Sequence, residues 1–414
     1  MKRLIIIFTF FATFANLLSQ TGNTACDTWN DTLKADTTAL DTAAVIPWPL
    51  NVQQRIDELL ENKMFETSQV GLLVYDLTAD SAIFCRNERQ MMRPASTMKI
   101  LTAVAAIDRL GGSYRLVTSL DYTGTIDNGT LTGDLYCVGG FDPLFNSDDM
   151  KAFAESLRSM GVDTIRGRIM ADKSMKDADR LGEGWCWDDD NPTLSPLLIS
   201  RKDSFTAEFI DELVEAGVTL EVTLGEGSMP TDAHKVCSRF HTIDQVLIRM
   251  MKESDNLFAE ALFYNIAAAS GAVPAKASNA RSAIRKVIGK TGLDGAAYKI
   301  ADGSGLSLYN YVSVEMEVRL LRYAYQNSQI YVHLLPSLPV AGEDGTLKTR
   351  MKGSFAAGNV RAKTGTLTGI SSLAGYCTAA NGHTLCFAII NQGLMRAANG
   401  KAFQDRLCDA LCRP

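Results

Sequence analysis

The chain has 414 residues, 46% of them hydrophobic and 21% charged, a composition that excludes wholesale disorder and collagen-like repeats. Its 41 basic and 47 acidic residues leave a net charge of −6 with no long basic run, which makes nucleic acid a poor candidate partner. The four histidines, His234, His241, His333 and His383, are scattered outside any His-x-x-x-His or Cys-x-x-Cys setting, so a zinc site or a His-based triad has little material. A hydrolase built on this sequence would take its general base from another residue type.

Lys2 and Arg3 precede an apolar run from 4 to 18, the layout of a secretory signal and shorter than the roughly 20 apolar residues of a spanning helix. Cleavage is expected near Ser19-Gln20, giving a signal over 1–19. The alternative, a lipoprotein anchored at Cys26, has a poor lipobox in Asn23-Thr24-Ala25. The Thr- and Asp-rich stretch 20–48 reads as a polar tether. No later segment could span a bilayer, so the mature chain is expected to be exported and periplasmic, without a transmembrane anchor.

An amphipathic helix is predicted over 52–63, with Ile56, Leu59 and Leu60 on one side. Strands follow over 70–77 and 81–85, then an apolar helix opening at Ser96 and running through Ile100, Leu101, Val104 and Ile107 to Gly111-Gly112. From 116 to 240 the texture changes to short strands with Gly-rich turns, near 115–122, 130–138 and 164–171, and a helix over 148–160. Beyond His241 helices dominate at 242–252, 256–268, 276–290 and 313–325. Strands at 359–363, 367–378 and 384–391 and a helix near 397–412 close the chain. The sum is an α/β (α+β) domain assembled from 49–115 and 241–414, interrupted by one inserted β-rich domain at 116–240.

Export permits disulfides, and there are nine cysteines. A two-residue turn at Asn381-Gly382 would set Cys377 directly opposite Cys386, which reads either as a cross-strand disulfide or as two small buried apolar residues. A four-residue turn would shift the register and remove the bridge. Cys408 and Cys412, one helical turn apart, read as sharing a buried face.

Three motifs carry chemistry. Ser96-Thr97-Met98-Lys99 is the only S-x-x-K in the chain; on a helix its ends share a face, so the amine reaches the hydroxyl. A serine is a weak nucleophile until a base takes its proton, and a lysine is that base only when burial or positive charge lowers its pKa. A capping Ser with a surface Lys three residues on is commonplace, but Met98, Ile100 and Leu101 make this helix look buried. Ser254-Asp255-Asn256 projects a hydroxyl and an amide from a turn between two helices, a pattern that is by itself a good N-cap. Lys363-Thr364-Gly365, followed by Thr366, alternates as a strand whose Lys and Thr could face a carboxylate while Gly clears its path. Lys290-Thr291-Gly292 is a control: it ends an amphipathic helix, with Gly292 as a C-cap, and reads as structural.

In this order the three motifs are those of penicillin-interacting serine enzymes. The chain most resembles the class C low-molecular-mass penicillin-binding proteins, D-alanyl-D-alanine carboxypeptidases and endopeptidases. The likeness extends through 94–99, 184–189, 254–260, 302–307, 338–342 and 361–366, and covers about 49 to 412. It implies a serine β-lactamase/transpeptidase-like sheet flanked by helices, needing no metal or cofactor. It implies Ser96 as acylated nucleophile, Lys99 as its proton acceptor, Ser254 as relay to the leaving amine and Asn256 as partner of the substrate amide. Lys363 would supply positive potential beside Gly365, while the Thr364 and Thr366 hydroxyls hold the terminal carboxylate. The N–H groups of Ser96 and Thr366 would form the oxyanion hole. The implied substrate is a peptidoglycan stem peptide, and β-lactams would acylate the same serine.

Several features depart from the family. The interval from Ser96 to Ser254 is short, and 195–203 leads at once into a helix around 205–215 where the family carries a further nested domain, so that domain is expected to be absent. Leu308 stands where a basic residue is common, and Phe141 where a small one is usual; both are expected to alter the substrate groove. Trp185 and Trp187 read as domain packing or as a substrate wall. The competing functions are a serine β-lactamase and a non-catalytic cell-wall-binding protein of the same fold. The first needs a deacylating base that is not evident, and the second would have lost a catalytic residue.

Overall fold

The computed structural model describes residues 46–187 and 191–414. The predicted signal and nearly all of the tether lie outside the described residues.

In chain order the elements are α1 (Leu50–Leu60), β1 (Gln69–Asp76), β2 (Ser81–Arg86), α2 (Met98–Leu110), β3 (Arg115–Tyr122), β4 (Thr125–Asp127) and β5 (Thr130–Val138). Then come α3 (Ser147–Ser159), β6 (Thr164–Asp172), α4 (Phe205–Glu215), β7 (Thr219–Glu226), β8 (His234–Thr242), α5 (Ile243–Lys252), α6 (Asn256–Ala268) and α7 (Ala277–Lys290). The last are α8 (Val314–Gln326), α9 (Ser328–Ser337), β9 (Arg361–Leu367), β10 (Ile370–Thr378), β11 (Thr384–Gln392) and α10 (Ala397–Cys412). Among the described residues no helix is long and apolar enough to cross a membrane.

The first sheet is antiparallel, in the order β2-β1-β11-β10-β9, and joins the N-terminal hairpin to the C-terminal strands. Alternation sorts its side chains into two layers. Leu73, Tyr75, Ala374, Tyr376, Cys386 and Ala388 enter the layer with α2, α6 and α8. Leu72, Val74, Leu373, Cys377, Phe387 and Ile389 face α1 and α10. Both faces are therefore buried, which is why β10 and β11 read as near-continuous apolar runs. Helix α6 is buried on all sides from Leu257 to Ala267 and forms the centre of the helical layer.

The second sheet has six strands, ordered β7-β6-β5-β3-β8, with β4 on β5. Strands β5, β6 and β7 run parallel, while β3 pairs antiparallel with β5 and β8. Parallel neighbours need crossover connections, and α3 and α4 lie in them, packing Phe153, Leu157, Phe205 and Phe209 into a separate core with Leu135 and Ile169. The region is thus a mixed sheet carrying the two helices expected near 148–160 and 205–215. From 173 to 204 the described residues carry only turns and isolated bridges.

The β10–β11 hairpin corrects the cysteine register. Ala379 N donates to His383 O and Gly382 N to Ala379 O, so the loop is three residues, closed by Gly382 at φ 85°. Cys377 then opposes Leu385, and Cys386 opposes Tyr376. The one-residue shift puts the two sulfurs on opposite faces, as two free buried thiols. Cys408 and Cys412 share the buried face of α10, as expected.

Candidate active site

Ser96 sits on a single 3₁₀ turn, Ala95–Thr97, that runs directly into α2. Ala95 holds a left-handed φ of 50°, so the turn is strained and depends on its neighbours. Two glycines make it possible. A Cβ on Gly305, itself at φ +79°, would lie 1.9 Å from Ala95 O. A Cβ on Gly365 would come within 2.9 Å of Ser96 N, so β9 can run against the Ser96 turn only with glycine there. Gly305→Ala is accordingly expected to cost at least about 2 kcal/mol and to slow the Ser96 chemistry. A urea midpoint unchanged from wild type would contradict it.

Lys99 is fully buried, and its Nζ lies 3.1 Å from Ser96 Oγ, 2.7 Å from Asn256 Oδ1 and 2.8 Å from Ser304 O. Burial lowers its pKa to about 8, with Asp302, Glu260 and Asp255 holding it from falling further. The proton count fits a base. As an ammonium Lys99 donates to all three oxygens; as a neutral amine its two N–H bonds serve Asn256 and Ser304, and its lone pair faces Ser96. Asn256 Oδ1 is thereby committed to Lys99, and among the described residues its Nδ2 has no protein partner.

Ser254 has φ 59° and receives a 2.8 Å hydrogen bond from Lys363 Nζ, which also donates to Thr364 O at 2.7 Å. Lys363 is buried, and burial together with the Lys99 charge holds its amine well below the usual range. The Thr364 hydroxyl meets Thr346 Oγ1 at 2.7 Å, and Thr366 is exposed on β9, the edge strand of its sheet. The structure thus joins Ser96, Lys99 and Asn256 in one cluster and Ser254, Lys363 and Thr364 in another, with Gly365 between them and Thr366 at the open end.

The supporting groups are less visible in sequence. Asp302 is 1% exposed and accepts from Gly305 N, Ser307 N, Asn310 Nδ2 and Trp185 Nε1 at 2.7–2.8 Å. Glu260 accepts from Gly303 N and Ser304 N, and burial beside Asp302 raises its carboxyl to about 8. Together they fix the loop that presents Ser304 O to Lys99. Asp255 caps α6 through Leu257 N and is held by Arg201 and, at 3.3 Å, by Arg249. The stretches 254–260 and 302–307 had a signal in the sequence, through their family likeness; Thr346, Arg201 and Arg249 had none.

The remaining expectations divide. Trp185 packs on the core and bonds Asp302, whereas Trp187 is 85% exposed. Phe141 does not reach the groove: it is fully buried, with its ring 6.0 Å from that of Tyr264. Leu308 is half-exposed, and its carbonyl accepts from Arg93 Nε, which brings a guanidinium beside it. Lys290 ion-pairs with Asp108 and Gly292 has φ 83°, so the second Lys-Thr-Gly is a helix end.

A sequence model of the D-Ala-D-Ala carboxypeptidase 3 (S13) family matches residues 52–199 and 200–412. The chain belongs to this family. It is an S13 serine peptidase, a D-Ala-D-Ala carboxypeptidase. Among its relatives, the D-alanyl-D-alanine carboxypeptidase of Actinomadura sp. (strain R39) is 28% identical over 443 residues, covering 83% of this chain and 81% of the relative. The D-alanyl-D-alanine carboxypeptidase DacB of Haemophilus influenzae is 25% identical over 413 residues, covering 79% and 86%. The crystal structure of penicillin binding protein 4 (dacB) from Haemophilus influenzae shares the S13 chain's fold at a TM-score of 0.79 and 24% identity, over 87% of this chain and 99% of that one.

Proposed function

We propose that the S13 chain cleaves the terminal D-Ala–D-Ala bond of peptidoglycan stem peptides through an acyl-enzyme on Ser96. The observation that carries the reading is the buried Lys99 amine, 3.1 Å from Ser96 Oγ and with its pKa lowered to about 8. Lys99 takes the hydroxyl proton as Ser96 Oγ attacks the penultimate carbonyl. The oxyanion is received by the N–H groups of Ser96 and Thr366, a nucleophile turn and an edge strand brought together by Gly365. Asn256 Nδ2 holds the substrate amide. The Thr364 and Thr366 hydroxyls, with the Lys363 amine behind them, hold the terminal carboxylate, whose charge favours the protonated amine.

Ser254, bonded to Lys363 at 2.8 Å, passes a proton to the departing amine, so D-alanine leaves and water then frees the acyl group. A β-lactam carries its amide and carboxylate in a similar arrangement and acylates the same serine. The protein works outside the cytoplasm, in the bacterial envelope, where this substrate lies.

The test is incubation with a fluorescent penicillin followed by peptide mapping. The expected result is a single label per chain, on the peptide that carries Ser96. An unlabelled wild-type protein would overturn the acyl-enzyme. Release of D-alanine from a pentapeptide, compared with cleavage of a crosslinked dimer, then separates carboxypeptidase from endopeptidase action.

A further inference from the structure

Beneath the nucleophile turn lies a buried acid that the mechanism does not use. Glu317, on α8, is 2% exposed. Its Oε1 is 2.6 Å from Thr97 Oγ1, and its Oε2 has no hydrogen-bond partner among the described residues. The elements packed on α8 offer it no cation. On α2, Lys99 is committed to Ser96, Asn256 and Ser304, and Asp108 to Lys290 and Tyr323. On β1 and β10, the Tyr75 hydroxyl meets Asp80 and that of Tyr376 meets Leu321 O; Asp76 on β1 meets His383, and Cys386 on β11 is a buried thiol. On α9 His333 meets Asp244, and on α8 itself Arg319 pairs with Glu315 and Arg322 with Asp80.

The hydroxyl hydrogens available and the unpartnered Oε2 together favour one protonation state. Pro94 O can only accept, and it receives both Thr97 Oγ1 at 2.8 Å and Ser372 Oγ. Each hydroxyl has one hydrogen. With Thr97 and Ser372 both donating to Pro94 O, the short contact between Thr97 and Glu317 needs a proton from the glutamic acid. An ionised Glu317 would instead take the Thr97 hydrogen away from Pro94 and leave a charged, unpartnered oxygen in an apolar interior.

We infer that Glu317 is carried as a neutral acid that donates to the Thr97 hydroxyl, completing a Glu317–Thr97–Pro94 relay that holds the left-handed Ala95 turn presenting Ser96. Glu317 is a positioning residue: it acts through Thr97 and touches no substrate. Burial, which lifts its carboxyl to about 8, agrees with this state.

The inference rests on Ser96 as the nucleophile, and its pH signature has a definite sign. A carboxyl raised in the folded state supports the fold fully below its ordinary range, and that support is lost as pH rises through about 8. Above that pH Thr97 turns toward the carboxylate, Pro94 O keeps only its bond from Ser372 and the turn loosens. Glu317→Gln donates an N–H at every pH and removes the effect.

The experiment compares wild type with Glu317→Gln for penicillin acylation rate and thermal midpoint from about pH 5 to about pH 9, with an infrared difference spectrum near neutrality. The variant is expected to acylate within about threefold of wild type at neutral pH. Its midpoint should gain on that of wild type as pH rises toward about 8, and its acylation should lack the alkaline decline of wild type. The wild-type-minus-variant difference spectrum should show one protonated-carboxyl stretch beyond that of Glu260, which both proteins keep. Parallel pH curves, or no such stretch, would overturn the inference. If wild type takes no label at any pH, the Ser96 reading fails, while the stretch and the midpoints still test the proton on Glu317.

Discussion

Lys99→Met is expected to lower the rate of Ser96 acylation by about 10³-fold while the protein stays folded. The side chain is fully buried, so methionine fills nearly the same space without placing an amine beside Asn256 Oδ1 and Ser304 O. Removing a buried charge is often neutral or favourable to stability, so the thermal midpoint should not fall in step with activity. What disappears is the acceptor for the Ser96 proton. With a pKa of about 8, roughly a tenth of wild-type Lys99 is neutral at pH 7, and acylation should rise with pH up to about 8 as that fraction grows. The variant should lose this dependence as well as the rate. Stopped-flow acylation by a chromogenic β-lactam reads both, and a variant within tenfold of wild type would exclude Lys99 as the base.

The sheet and its motifs were legible because alternation and helical spacing are local. Strands β1, β10 and β11 alternate between two buried layers, and Lys363 and Thr364 sit on the strand expected of them. What escaped depends on geometry that spacing does not encode. The thiols of Cys377 and Cys386 part because a third loop residue and the left-handed Gly382 slip the hairpin by one position. Between β3 and β8 the helices α3 and α4 were expected, but the parallel pairing of β5, β6 and β7 was not, because strand order is a property of tertiary structure rather than of any one segment. Helix α9 was missed: Asn327 ends α8 and caps α9 at once, and Pro336 lies inside it. At the site, residues close in sequence to the motifs were found, whereas Thr346 and Glu317 reach their partners across 18 and 220 positions.

Asp302 shows how far the Ser96–Lys99 cluster depends on such distant support. Asp302→Ala is expected to destabilise the protein by about 3–5 kcal/mol, because four donors lose their acceptor in a place water does not reach. Two of them are the backbone N–H groups of Gly305 and Ser307, so the loop that carries Ser304 O loosens, and with it one of the three contacts of Lys99. A third is Trp185, which ties the segment after β6 to the catalytic lobe. Asp302→Asn keeps an acceptor oxygen and removes the charge, so it should cost less stability and expose a second role. Asp302 is the carboxylate that most opposes the lowering of the Lys99 pKa, and it also pushes up that of Glu260. Without its charge Lys99 should lose its proton at lower pH, and the rising limb of the acylation profile should move to the acid side. Urea unfolding and the pH–rate profile of the Asn variant separate the two roles. A profile that stays in place would mean that Asp302 only builds the loop, whereas an acid shift would show that the same carboxylate sets the pH at which the nucleophile can be activated.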